Sequence, residues 1–231
     1  MPYKEGEEMR HLKALLLISV LLVSGCIQGG LGPSQPLVLD GVEITEYQGE
    51  KLDSLQNAFR ETSIKGPQYI DVDTYTLEIT GLVESPKSLT YDEVLDRQSY
   101  QKVVTLYCVE GWDANILWEG VLVRDLINEA GPTEGTNTVI FHAYDGYTTS
   151  FPLDYILDDN LNLLMAYKMN GVTLPPERGF PFQLIAEDKW GYKWIKWVTE
   201  IEISDNEDYE GYWESRGYSN TGDLDKSFFG D

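Results

Sequence analysis

Between Thr76 and Ile203 the apolar residues come in short runs, each closed by a glycine, a proline or a turn pair such as Asp145-Gly146 or Asn170-Gly171. A chain punctuated this often cannot build long helices, so its apolar surface must be buried by strands and short helices. Thr76 to Thr80 alternates polar and apolar residues up to Gly81, the pattern of a half-buried strand. Lys102 to Tyr107 predicts a buried strand, and Thr138 to Ala143 and Tyr147 to Phe151 predict two more around the Asp145-Gly146 turn. Leu163 to Met169, turning at Asn170-Gly171 toward Leu174, predicts a hairpin, and Phe182 to Ala186 and Ile195 to Ile203 add further strands. Short helices are expected over Leu52 to Thr62, from the capping box Thr90-Tyr91-Asp92-Glu93 toward Arg97, from Val121 to Ala130 before Gly131-Pro132, and from Pro152. Strands outnumber scattered short helices, which favours an α+β fold with mixed or antiparallel sheets over a doubly wound one. No linker interrupts the patterned region, so residues 46–231 are expected to form a single domain.

The first residues follow different rules. Lys4, Arg10 and Lys13 precede a short apolar stretch from Ala14 to Val23, which then meets Leu22-Val23-Ser24-Gly25-Cys26. The stretch is too short to span a bilayer comfortably and has the layout of a signal peptide over residues 1–25. The closing Leu-Val-Ser-Gly-Cys resembles a lipoprotein signal, which implies lipidation of Cys26 and, over 26–45, a tether rich in glycine and proline. The expected location is therefore outside the cytoplasm, tethered to the cell membrane through that lipid. The leader holds three basic and three acidic residues, so its removal leaves the net charge at −22. So acidic a surface repels nucleic acid, which is excluded as a partner.

With Cys26 assigned to lipid, Cys108 has no disulfide partner and is the mature chain's lone thiol. It can be a small core residue, a nucleophile or a metal ligand. A cysteine or serine nucleophile would need His142, the only histidine beyond His11 of the leader, and no motif joins them. Glycine-rich phosphate loops, paired CxxC and HExxH are all absent. Positive charge is scarce, so its clustering is informative. Lys189, Lys193 and Lys196 fall within nine residues that also hold Trp190 and Trp194, with Arg178 just upstream. Such a cluster is either a charged hairpin over a tryptophan core or an anion site suited to phosphate.

Cys108-Val109-Glu110-Gly111-Trp112, followed by Trp118-Glu119-Gly120-Val121, resembles the metal-binding segment of the sulfite oxidase superfamily. Further matches follow in the family's order: Gly81 to Pro86, Asp145 to Ser150, Asn170-Gly171 to Glu177, Gly191 to Trp197, and Gly211 to Ser219. The resemblance implies the sulfite-oxidase-type molybdopterin-binding fold and a cofactor of one molybdenum on one molybdopterin. It assigns Cys108 as the protein's bond to the metal, a role that suits a soft thiolate. It also implies that Trp194, Ile195 and Lys196 hold the phosphate end with Arg178, that His142 and Ala143 approach the pterin, and that Lys65 stands at a pterin contact. Gln183 occupies a position where many relatives carry arginine, so Lys193 or Arg178 is expected to compensate. The arginines that follow the cysteine in sulfite oxidases are replaced here by Glu110, Gly111, Trp112 and Asp113. That argues against sulfite, and Cys-Val-Glu is closer to the periplasmic branch that includes methionine sulfoxide reductase catalytic subunits.

The expected activity is oxygen-atom transfer to or from a small oxo donor or acceptor such as a sulfoxide or N-oxide. Glu110 is either a proton donor at the metal pocket or a plain loop carboxylate. The chain has neither CxxCH nor a cysteine cluster, so electrons must pass to a separate, membrane-bound carrier. Two other readings stay open: a cofactor-less or altered binding module on the same fold, kept alive by Gln183, and a redox protein using the Cys108 thiol directly.

Overall fold

The computed structural model describes residues 39–230. The leader, Cys26 and most of the expected tether lie outside the described residues. A small ribbon of β1 (Glu46–Tyr47) and β2 (Glu50–Lys51) begins the described fold. The preceding segment is already bonded to the body: Ile44 N donates to Asn170 O at 2.8 Å, and Glu43 accepts from Ser54 Oγ and Leu55 N.

Two five-stranded sheets follow. One joins β3 (Thr76–Gly81), β4 (Lys87–Thr90), β7 (Thr138–Ala143), β8 (Thr148–Pro152) and β12 (Val198–Ser204) in the order β4-β3-β12-β7-β8. Within it β12 runs parallel to β3 and antiparallel to β7, so the sheet is mixed. The other joins β5 (Tyr100–Tyr107), β6 (Asp113–Leu122), β9 (Leu164–Met169), β10 (Val172–Thr173) and β11 (Gln183–Ile185), all antiparallel. Three short helices, α1 (Tyr91–Leu95), α2 (Val123–Ala130) and α3 (Leu153–Leu157), complete the α+β architecture expected from the sequence.

Local chemistry accounts for most boundaries. Thr90 Oγ1 accepts from Glu93 N while Glu93 Oε2 accepts from Thr90 N at 2.8 Å, the reciprocal capping box that starts α1. Gly131 closes α2 in a left-handed cap, its N–H bonded to Ile127 O. Leu77 and Ile79 of β3, Phe141 of β7 and Ile201 of β12 are fully buried and share one apolar cluster with Val104, Trp118 and Met165 of the other sheet. Burying side chains of this size stabilises the fold by about 1.5–3 kcal/mol each.

Two sequence expectations need correction. Leu52 to Thr62 is not a helix; it makes one turn at Leu55–Asn57 and then joins no helix or strand. Its backbone is engaged elsewhere, with Asp53 N donating to Asn115 O and Leu55 N to Glu43. Val121 and Leu122 belong to β6 rather than to the helix, and β6 itself was not foreseen.

Candidate active site

Strand β5 and its return strand β6 are joined by the loop 108–112, and Cys108 leads that loop. Cys108 N donates to Trp112 O at 2.9 Å, and Gly111 N donates to Cys108 O at 3.0 Å, closing a tight turn. Gly111 adopts φ 83°, in the left-handed region where a side chain is strained. The turn lifts the thiol off the sheet edge and leaves it half-buried. Burial pushes its pKa up, and the Glu110 carboxylate adds to this; the Glu110 amide and the Arg60 guanidinium pull the other way.

Cys108 faces a cleft of about 460 Å³. Its walls come from five separate stretches: 59–64, 106–112, the β7–β8 turn at Asp145 and Tyr147, 178–197, and Trp213 with Tyr218. The structure therefore gathers Cys108, Glu110, Arg178, Gln183, Trp194, Ile195 and Lys196, seven of the residues singled out in the sequence, around one space. Glu110 is exposed at the rim, its carboxylate 3.4 Å from Trp112 Nε1. Gln183 is buried and reaches Trp194 O at 3.5 Å.

Lys196 precedes a strained residue. The next residue, Trp197, sits at φ 55°, an outlier for so bulky a side chain, and is held there by burial and by an Nε1–Pro176 O bond of 2.7 Å. Lys196 Nζ then lies 3.0 Å from Glu61 Oε1 and 4.3 Å from the Trp197 ring. Arg178, in the single turn Pro176–Arg178, is 8% exposed, yet among the described residues no carboxylate pairs with it. Its guanidinium has only 3.5 Å contacts to Phe59 O and Arg60 O, and Nε has no hydrogen-bond partner. Burial lowers its pKa to about 10, with Glu61 and Glu177 partly opposing. Ser63 Oγ, also on the cleft wall, is a second buried polar atom without a partner. Such orphaned groups are costly unless a ligand satisfies them, and here they are a cation and a hydroxyl, suited to a phosphate.

The remaining sequence candidates lie off the cleft wall. Lys193 is completely buried, and its ammonium donates to Ser150 O at 2.7 Å, Glu214 Oε1 at 2.7 Å and Asn220 O at 2.8 Å. An ammonium has three protons, so Lys193 has no donor left for a ligand. Burial lowers its pKa, opposed by Glu214. His142 Nε2 lies 2.8 Å from Glu202 Oε2 on the sheet face. Ala143 is buried at the end of β7, its N–H bonded to Tyr147 O. Lys65 is exposed and lies against Gly146, where a Cβ would sit 3.4 Å from its ammonium.

Sequence reasoning missed the 59–64 segment. Arg60 and Glu61 carry no motif, and only the path of the chain brings them to the cysteine. Their presence alters the electrostatic picture: the acids Glu61, Glu110 and Asp145 on the wall face the cations Arg60, Arg178 and Lys196. The cleft is therefore of mixed charge, although Glu110 and Asp113 stand where sulfite oxidases carry arginines.

The model of the oxidoreductase molybdopterin binding domain matches residues 64–213. An uncharacterized oxidoreductase, YuiH, of Bacillus subtilis (strain 168) is 35% identical over 158 residues, covering 68% of this chain and 78% of that one. A putative protein-methionine-sulfoxide reductase subunit, YedZ1, of Azospira oryzae is 33% identical, covering 65% of this chain but only 56% of its own length. The crystal structure of the sulfane dehydrogenase SoxCD from Paracoccus pantotrophus shares the fold with a TM-score of 0.59 at 24% identity, over 68% of this chain and 43% of that one. With the ordered motifs and the cleft around Cys108, these matches place the chain in the oxidoreductase molybdopterin-binding domain family of the sulfite oxidase superfamily, and make it an oxidoreductase.

Proposed function

We propose that the chain is an extracytoplasmic, lipid-tethered reductase that removes an oxygen atom from a small uncharged donor such as a sulfoxide or N-oxide. The observation that carries this reading is the pairing, in one cleft, of a half-buried thiol with a buried guanidinium that has no anion. Cys108 would be the protein's ligand to molybdenum, and Arg178, Lys196 and Ser63 would hold the phosphate end of one molybdopterin. Among the described residues no three His, Cys, Asp or Glu side chains converge, so Cys108 would be the chain's own bond to the metal and the pterin would hold it as well. When bound, that cofactor supplies two-electron oxygen-atom transfer chemistry.

The chain's own residues set the conditions for it. Phe59 and Trp112, edge to face at 5.8 Å, make an apolar wall beside the thiol that admits an uncharged substrate and excludes water. Reducing a sulfoxide to a sulfide and water consumes two electrons and two protons. The rim carboxylate of Glu110 is placed to relay those protons from solvent, while the electrons come from a separate carrier. The similarity to a methionine-sulfoxide reductase subunit supports this substrate class.

Metal and pterin analysis of purified protein tests the reading. Roughly one molybdenum per chain is expected, together with dye-linked reduction of sulfoxides. Cys108→Ser should leave the fold and melting curve unchanged while abolishing that activity. A protein with no molybdenum would favour the binding-module reading, and a loaded enzyme that oxidised sulfite faster than it reduced sulfoxides would overturn the substrate class.

A further inference from the structure

One of the two cations proposed for the cofactor's phosphate, Lys196, already holds an anion of the protein's own. Lys196 Nζ is ion-paired with Glu61 Oε1 at 3.0 Å, and both residues line the cleft. Glu61 belongs to a segment that lines the cleft and is fastened to the same site at two further points. Arg178 stacks on the Phe59 ring at 4.6 Å, and its guanidinium faces the carbonyls of Phe59 and Arg60. The fastening is light. Glu61 keeps 31% of its side-chain surface exposed, the guanidinium–carbonyl contacts are long, and residues 59–63 join no helix or strand. A partly exposed single pair of this kind is weak, and a phosphate, with more charge and more acceptor oxygens, outcompetes a carboxylate for two cations.

We propose that Glu61 is a built-in stand-in for the cofactor phosphate: its carboxylate occupies Lys196 and yields that ammonium to a phosphate. Glu61 leaves by a swing of its own partly exposed side chain, while Phe59 stays against Arg178 and Trp112 and Ser63 stays on the cleft wall.

The inference rests on Arg178 and Lys196 being the phosphate site, and the test separates the two ideas. Inorganic phosphate is titrated into cofactor-free protein by calorimetry at fixed ionic strength. Glu61→Gln should bind phosphate roughly fivefold more tightly than the wild type, because the competitor has lost its charge. Lys196→Met should abolish binding in either background. Equal phosphate affinity in the wild type and Glu61→Gln, or binding in neither, overturns the stand-in even with Lys196→Met inactive. Undiminished binding in both Lys196→Met and Arg178→Met would instead sink the phosphate site on which it rests.

Discussion

Lys193 and Lys196 lie three residues apart and have opposite fates. Lys196 lies on the cleft wall beside the strained Trp197, whereas Lys193 is locked inside against Glu214, which Thr149 Oγ1 also contacts at 2.7 Å. A buried pair of this kind adds little over an apolar replacement, but removing one partner strands a charge. Glu214→Ala should therefore cost about 3–5 kcal/mol of unfolding free energy in urea titration. The double variant Lys193→Met with Glu214→Leu should recover most of that loss. A single variant as stable as the wild type would show that the pair does not anchor the segment after Gly211. The sequence could not separate the two lysines, since both sit among the same tryptophans; what distinguishes them is which acceptors the fold delivers to each ammonium. Cys108, Arg178 and Lys196 were legible because each lies in a contiguous motif. Arg60 and Glu61 were not, because their neighbours come from distant parts of the chain.

Strands with one face buried were readable from alternation, as β3 shows with Leu77 and Ile79 inward. Strand β6 was not, because it lies between β5 and β9 and buries Ile116, Leu117 and Trp118 in succession, which erases the period of two. The spacing of Leu52, Leu55 and Phe59 imitates a helix, but that stretch spends its hydrogen bonds on Glu43 and Asn115 instead. The approach of β6 to β9 depends on Gly120, at the register shift between the two strands. A Cβ there would fall 2.3 Å from Met165 O and 2.7 Å from Ala166 Cα, both backbone atoms that cannot swing aside. Gly120→Ala should cost about 1–3 kcal/mol or more, read as a lower denaturation midpoint at unchanged slope. An unchanged midpoint would mean that β9 yields more readily than a paired central strand should.

Over the whole molecule, the segment after β12 closes the fold through Asp223, which pairs with Lys189 and Lys226. Burial alone would push this carboxyl up, but the two lysine ammoniums outweigh it and hold its pKa near about 2. A folded pKa below the unfolded carboxylate value adds stability that is complete above about pH 4 and is lost as pH falls through about 2. Asp223→Asn should therefore be less stable than the wild type at neutral pH and converge with it by about pH 2, in thermal melts across that range. A constant gap down to that pH would remove Asp223 from the acid transition. One further consequence follows from β12 lying parallel to β3 across more than a hundred residues of sequence. The cleft takes residues from Phe59 to Tyr218, so it exists only when almost the entire chain is free to pair. Long-range pairing of this kind is slow to close. A chain emerging from a ribosome offers its N-terminal half long before it has a site, so whatever this cleft holds would be bound by the completed fold and not by the growing chain.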